Sequence, residues 1–514
     1  MHLKALHPFA MRGFLCINEG RTCNYFYICT HVKITGLLKR IIQSSFLFTL
    51  GNMMPLLTSV VLLLPYTTYL STALYGELAL YIAFTLLVQY IANYGLDNYV
   101  GIHHYAYKSD DLQLRKFIGS VVTSLLVIGG ILTIFFLASG VLLFDFLFRS
   151  QLSFFPYGFM SVLTGIFNSF FRTYINFLFY RNQPKKHFGF NLFNFAVTIV
   201  LSVGGLMLYP DSIAGPMWGR LLSGVAIFML ALFFFMREYG LYYDKSLLKG
   251  LHSFCVPVAG FYILTWALFY LNNYILNAFA TAADVGIYDF ALKCVLLIEI
   301  TQTSIAQTLN PRIYDIWTKD KLRASTQDEN RLHHVFTLLS VVMISLCILL
   351  LPLVVQLLVR NADYYQVFTY LPVLCISFVF RPMYNALFNV AIFYKKTIAL
   401  PRVLFISSVI QIIAAVLLIQ QFGIWGAVWS YVMVKPLQVI LFWVEVRTLF
   451  AFQFNSYKII WLPLFYSTFV ILIFTVIDVL PMWQNAILQL VVAGGAVAYA
   501  FKNELPQIKG LLWK

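Results

Sequence analysis

Polar residues are so sparse along this chain that its first visible pattern is a series of long apolar blocks. Each runs about 20 residues or more, enough to cross a hydrocarbon core of about 30 Å as an α-helix. Fourteen blocks lie near residues 41–63, 77–99, 116–137, 152–180, 188–209, 214–236, 251–278, 285–309, 334–358, 366–394, 400–420, 424–448, 458–479 and 483–501. The pattern predicts an all-α polytopic membrane protein.

The breaks between blocks alternate in charge. One set holds Lys108, Arg115 and Lys116; Arg181, Lys185 and Lys186; Arg237, Lys245 and Lys249; five cations from Arg312 to Arg331; Lys395, Lys396 and Arg402; and Arg447 and Lys458. The other set (PYTTYLSTALYG, YPDSIAGP, ATAADVG, QQFG, DVLPMWQN) is nearly free of Lys and Arg, with Arg149 and Arg360 in its two remaining members. By the positive-inside rule the first set and both termini are cytoplasmic. A missed helix would break the alternation, which supports an even count.

Composition agrees. Of 514 residues, 61% are hydrophobic and 11% charged, whereas a soluble domain carries roughly a quarter charged residues. The net charge of +15 is spread over loops, and no basic helix interleaved with aromatics marks a nucleic-acid partner. Outer connections stay within about 15 residues and inner ones within about 25. That leaves no room for a soluble catalytic domain, so no enzyme and no catalytic residues are expected. No cofactor or metal set is expected either. Cys16, Cys23 and Cys29 lack ligand spacing, while Cys255, Cys294, Cys347 and Cys375 read as small core residues. Residues 1–32 lack the apolar core and cleavage site of a signal peptide. The following VKITGLLKRIIQSSF reads as a natural start, so translation is expected to begin near Val32 and the preceding stretch to be a non-native or disordered extension.

Landmarks recur about 210 residues apart. LYGELAL is echoed by DVGIYDFALK, the I-x-G-x-x-W of Ile213, Gly215 and Trp218 by Ile424, Gly426 and Trp429, and FLFYRNQPKK by AIFYKK. The unit is six helices, and because six is even the two copies enter from the same side as a parallel repeat. Residues 33–240 form an N-lobe and 241–450 a C-lobe, while 451–514 add two helices and a cytoplasmic tail. Pro55 and Pro257 interrupt the first helix of each lobe and are candidate hinges.

Five cations remain inside predicted spans: Arg172, Arg220, Lys293, Arg381 and Lys435. Each costs about 2.5–3.5 kcal/mol at a helix centre unless it pairs, snorkels or faces a hydrated cavity. Asp289 lies one turn before Lys293 and can pair with it, and Glu299 shares that helix; both acids are candidate coupling groups. Arg220 lies near a helix end and can snorkel. Lys435 precedes Pro436 with no acid within a turn. Arg172 and Arg381, 209 residues apart, are placed by the repeat at equivalent depths on the fourth and tenth helices, and each sits on a polar stripe: Asn168, Arg172 and Asn176; Arg381, Asn385 and Asn389. Interhelical hydrogen bonding is one explanation of such stripes. A water-filled lumen that binds an anion is the other, since a guanidinium fork suits phosphate oxygens.

Between Lys33 and the C-terminus the chain resembles the Wzx-type oligosaccharide and O-antigen flippases, the polysaccharide-transporter branch of the MOP exporter superfamily. The resemblance rests on KRIIQSSFLFTLGNMMPLL, YGELAL, ANYGLDNYVGIHHY, DVGIYDFALK and NPRIYDIW. It implies a 14-helix, two-lobed fold that moves undecaprenyl-diphosphate-linked oligosaccharides across a bacterial cytoplasmic (inner) membrane by alternating access, for O-antigen, capsule or exopolysaccharide biosynthesis. Implied partners are the lipid-linked oligosaccharide, membrane lipids and a polysaccharide polymerase or chain-length complex. The alternatives are a lipid II-type flippase and a drug/cation antiporter. The second is weakened because residues 41–63 hold no acid.

Overall fold

The computed structural model describes residues 23–107, 109–148, 151–320, 327–396, 398–451, 455–477 and 481–502. Residues 1–22 of the expected extension, with Cys16, lie outside the described residues, as do Arg149 and residues 503–514 of the tail. Every long element is a helix. In chain order these are α1 (Cys23–Tyr69), α2 (Thr72–Tyr107), α3 (Asp111–Phe148), α4 (Phe154–Tyr180), α5 (Pro184–Leu208), α6 (Ala214–Tyr239) and α7 (Leu251–Phe279). They continue with α8 (Ala282–Asp320), α9 (Gln327–Leu358), α10 (Ala362–Phe393), α11 (Ala399–Phe422), α12 (Ile424–Val446), α13 (Tyr457–Thr475) and α14 (Met482–Ala500).

Each of the fourteen apolar blocks therefore holds a helix among the described residues, and most helices outrun their block because backbone hydrogen bonding continues past the apolar stretch. Twelve are long and apolar enough to cross a membrane by themselves. The other two, α8 and α14, are diluted by polar residues: Asp284, Asp289, Lys293 and Glu299 in α8, and Gln484, Asn485 and Gln489 in α14.

Helices α1–α6 pack as one lobe through the pairs α1–α5, α5–α6, α2–α4 and α4–α6. Helices α7–α12 repeat the plan through α7–α11, α11–α12, α8–α10 and α10–α12, and α13 and α14 lie against α9 and α10. Cys255, Cys294 and Cys375 are buried and unpaired.

The lobes meet chiefly where α2 crosses α8. Near the Lys/Arg-poor end this contact is backbone on backbone. A Cβ on Gly76 would lie 1.8 Å from the Ala282 carbonyl oxygen, and one on Gly286 would lie 2.1 Å from that of Thr72. Side chains lock the crossing. Tyr75 donates to Asp289 Oδ2 (2.8 Å), Trp266 Nε1 to the Ala83 carbonyl (2.8 Å) and Tyr274 to that of Leu80 (2.8 Å). From α10, Tyr364 donates to the carbonyls of Leu70 (3.1 Å) and Ser71 (3.2 Å). That end of the interlobe seam is sealed.

Toward the other end α2 breaks. Tyr94 (φ 53°) and Gly95 (φ 80°) are left-handed, and Gly95 lets the chain approach Val258 of α7, 2.9 Å from where a Cβ would be. The remainder, Leu96–Tyr107, turns onto α3 and α4. The prolines sit inside continuous helices: Pro55 and Pro65 in α1, Pro257 in α7.

If the glycine crossing is the seal, Gly76→Leu must part the lobes at the Lys/Arg-poor end, with an overpacking cost of about 1–3 kcal/mol or more. Spin labels at Ser71→Cys and Thr281→Cys, both exposed, should report a longer distance in Gly76→Leu. The control Gly494→Leu, where a Cβ meets nothing within 4 Å, should leave it unchanged.

Candidate functional site

Between the lobes, largely within the N-lobe, lies a cavity of about 500 Å³. Its charged lining consists of Arg172 from α4, Arg220 from α6, and Asp289 and Lys293 from α8. Amides line it too, including Asn168 and Asn176 on the α4 stripe, and Pro55 of α1 sits on its wall.

Arg172 is not a free cation. Its Nε donates to Asp97 Oδ2 at 2.9 Å, and Asn176 Nδ2 donates to the same oxygen at 2.8 Å. Asp97 is fully buried. Its other oxygen accepts from the Asn98 backbone N–H at 2.9 Å. Tyr262 of α7 donates to both carboxylate oxygens (3.1 and 3.3 Å) and accepts from Asn98 Nδ2 (2.7 Å), so the network spans both lobes. The Arg172 guanidinium also lies 4.7 Å from the Tyr262 ring centre and 5.3 Å from that of Tyr90, within cation–π range. The side chain keeps 30% of its surface exposed, so one edge is engaged and the rest remains available to the lumen.

Lys293 pairs with Asp289, as the sequence spacing suggested, and donates to the Tyr75 hydroxyl at 2.8 Å. Asn273 supplies a further donor to Asp289 at 3.2 Å. Arg220 differs: among the described residues it has no carboxylate partner, and its buried Nε finds no acceptor. The cavity thus holds three cations against one lining carboxylate, with Asp97 behind Arg172.

The remaining C-lobe residues of the sequence reading stand apart from Asp289 and Lys293. Arg381, Lys435 and Glu299 are not among the residues lining this cavity. Arg381 lies 4.0 Å from Glu299 and 5.5 Å from the Tyr384 ring centre. Lys435 sits 4.6 Å from the Tyr431 ring centre, within electrostatic reach of Glu299. Asn385 and Asn389 are buried and both donate to Asn310 Oδ1, at 2.9 and 2.7 Å.

These bonds correct the register of the repeat. Arg172 and Asn176 reach Asp97 across 75 and 79 residues, and Asn385 and Asn389 reach Asn310 across the same 75 and 79. The counterpart of Arg172 is therefore Asn385, one helical turn beyond Arg381, and that of Asp97 is Asn310. The offset rises from 210 residues at the Gly76–Gly286 crossing to 213 here. Within that interval α2 is broken at Tyr94–Gly95 whereas α8 runs on unbroken. Both lobes converge two side chains on one acceptor, charged in the N-lobe and neutral in the C-lobe.

Sequence reasoning missed Asp97, although it falls inside the 77–99 block, because acids within spans were weighed only where a cation shared their helix. Tyr262 and the cavity amides Asn52, Asn191 and Asn194 had no signal beyond lying in apolar helices.

Residues 41–317 match the family described as polysaccharide biosynthesis protein. Comparison with curated protein sequences returns no match. Among solved structures, the lipid II flippase MurJ in an inward closed conformation aligns with a TM-score of 0.69 at 13% identity, over 90% of this chain and 100% of that one. An inward-facing multidrug-resistance MATE transporter of the MOP superfamily aligns with a TM-score of 0.61 at 13% identity (78% and 94%). A mutant of the Vibrio cholerae MATE transporter VcmN gives 0.53 at 13% (80% and 98%). At such identities the structural likeness concerns the fold, and the family rests on the sequence match. With the fold of the MOP-superfamily transporters and a family match over more than half its length, the chain belongs to the polysaccharide biosynthesis protein family.

Proposed function

We propose that the protein is a flippase that carries undecaprenyl-diphosphate-linked oligosaccharides from the cytoplasmic to the outer leaflet of a bacterial inner membrane, for surface polysaccharide biosynthesis. The observation that carries this reading is the intramembrane cavity itself, with Arg172, Arg220 and Lys293 set among amides and a single lining carboxylate. Such a lining suits a dianionic head group bearing hydroxyl-rich sugars. Membership of a polysaccharide biosynthesis family supports the cargo, and the fold likeness to a lipid II flippase supports the transport mode. The excess of cations disfavours a cationic drug. A lipid II-type precursor would present the same diphosphate, and the family match favours the polysaccharide intermediate over it.

The proposed cycle uses the two lobe contacts. The diphosphate enters from the Lys/Arg-rich side, taken as cytoplasmic by the positive-inside rule. It competes with Asp97 for Arg172 and with Asp289 for Lys293, while Arg220 supplies a cation that need not leave a partner. Loss of those pairs loosens Tyr262 at one end of the seam and Tyr75 at the other. The lobes can then rock, bending at Pro55 and Pro257.

Arg220 gives the clean test, because no carboxylate depends on it. In proteoliposomes, Arg220→Ala should lower translocation of an undecaprenyl-diphosphate-linked oligosaccharide at least tenfold at unchanged melting temperature, with partial retention in Arg220→Lys. Wild-type translocation by Arg220→Ala would refute the proposed diphosphate site.

Arg172→Ala, by contrast, leaves Asp97 buried without its counter-charge. The expected loss is about 3–5 kcal/mol of stability, read as a lower melting temperature in detergent. Adding Asp97→Asn should restore most of it, whereas two independent sites would show additive losses.

A further inference from the structure

We propose that the α1–α5 wall of the cavity is a carbohydrate subsite selective for an uncharged sugar at the position attached directly to the diphosphate. This rests on the flippase reading and specifies which wall meets the glycan and what it accepts.

The cavity lining is divided. Every charged lining group comes from α4, α6 or α8. The wall built by α1 and α5, which pack closely on each other, contributes no charge; its polar groups include Asn52, Ser59, Asn191, Asn194 and Thr198. On α5, residues 191, 194 and 198 follow the i, i+3, i+7 spacing of one helix face.

The hydrogen-bond state of this wall shows what it lacks. The Asn52 amide is exposed to the lumen and, among the described residues, bonds to nothing; Asn168 of α4, half-buried in the same cavity lining, also bonds to nothing among them. Asn191 Nδ2 gives one of its two N–H groups to the His187 carbonyl (2.9 Å), and its amide oxygen takes no hydrogen bond among the described residues. Asn194 Oδ1 accepts from Thr198 (3.2 Å), leaving its NH₂ group open. The wall therefore presents both donors and acceptors. A sugar hydroxyl, which donates once and accepts twice, can satisfy both kinds. A carboxylate only accepts, so it could take the open Asn52 and Asn194 NH₂ groups but would repel the open Asn191 oxygen, and with no cation on this wall its charge would be desolvated without a counter-ion.

Geometry then orders the ligand. A diphosphate held by Arg172, Arg220 and Lys293 leaves the adjoining sugar the remaining wall. A cavity of about 500 Å³ is in the range that encloses a drug-sized ligand. It therefore encloses the head group and the first sugars rather than a long glycan.

The test is equilibrium binding by the full-length protein in nanodiscs, with three probes: undecaprenyl diphosphate, the same lipid carrying N-acetylglucosamine, and the same lipid carrying a hexuronic acid. The double variant Asn52→Leu with Asn194→Leu should bind the N-acetylglucosamine lipid about tenfold more weakly, the size expected for losing one or two hydrogen bonds. It should bind the sugar-free lipid as wild type does, which also shows that it is folded. Wild type should prefer the N-acetylglucosamine lipid to the hexuronate lipid by about tenfold or more, and Asn52→Lys should narrow that gap. Equal loss of the sugar-free and N-acetylglucosamine lipids, or loss of neither, would remove the subsite. Equal binding of the neutral and acidic sugars would remove the charge selectivity. If wild type binds no lipid, or binds the sugar-free lipid independently of Arg220, the flippase reading itself fails.

Discussion

A carboxylate with no exposure to solvent, placed inside a membrane protein, is the constraint around which this molecule is arranged. A buried carboxylate is costly there unless its lone pairs are met by donors and its charge by a cation. Its donors come from α2, α4 and α7: the Asn98 backbone N–H, Arg172, Asn176 and Tyr262. The left-handed break at Tyr94–Gly95 brings Asp97 to that meeting point. Tyr262 makes the requirement cross the lobe boundary. Local electrostatics at one residue thus ties the break in a helix, the orientation of a cavity arginine and the contact between lobes into one arrangement.

The repeat throws this into relief. Both lobes bring two side chains from their fourth helix onto one acceptor of their second, at equal sequence spacing, yet the C-lobe version is wholly amide. Three other charges of the C-lobe, Glu299, Arg381 and Lys435, gather elsewhere. Handling of anionic cargo in the proposed cycle therefore falls mainly to the N-lobe, although α8 lends Lys293.

What could be read from sequence divides along a physical line. Spans, loop charge and the existence of a six-helix repeat are recorded locally, in hydropathy and in side-chain charge, and the fourteen helices follow from them. Lys293 and Asp289 were legible together because one helical turn separates them. Arg172 and Asp97 were not, since their contact depends on how α2 breaks and how α4 packs, 75 residues apart. The repeat was legible but its phase was not. Matching Arg172 to Arg381 satisfied the eye for like residues, whereas the hydrogen bonds match it to Asn385. The amide wall escaped notice because isolated asparagines in apolar helices have no periodic signature until the partner helices are in place.

The crossing of Gly76 with Gly286 has a consequence for how such a protein can diversify. That seal is made by close backbone approach at the two glycines and by the hydrogen bonds of Tyr75, Trp266, Tyr274 and Tyr364, and it shares no residue with the α1–α5 wall. On the proposed flippase reading, substitutions that retune the wall to a different glycan would leave that closure intact. A lineage could then change cargo one lumen residue at a time while keeping the same interlobe contact.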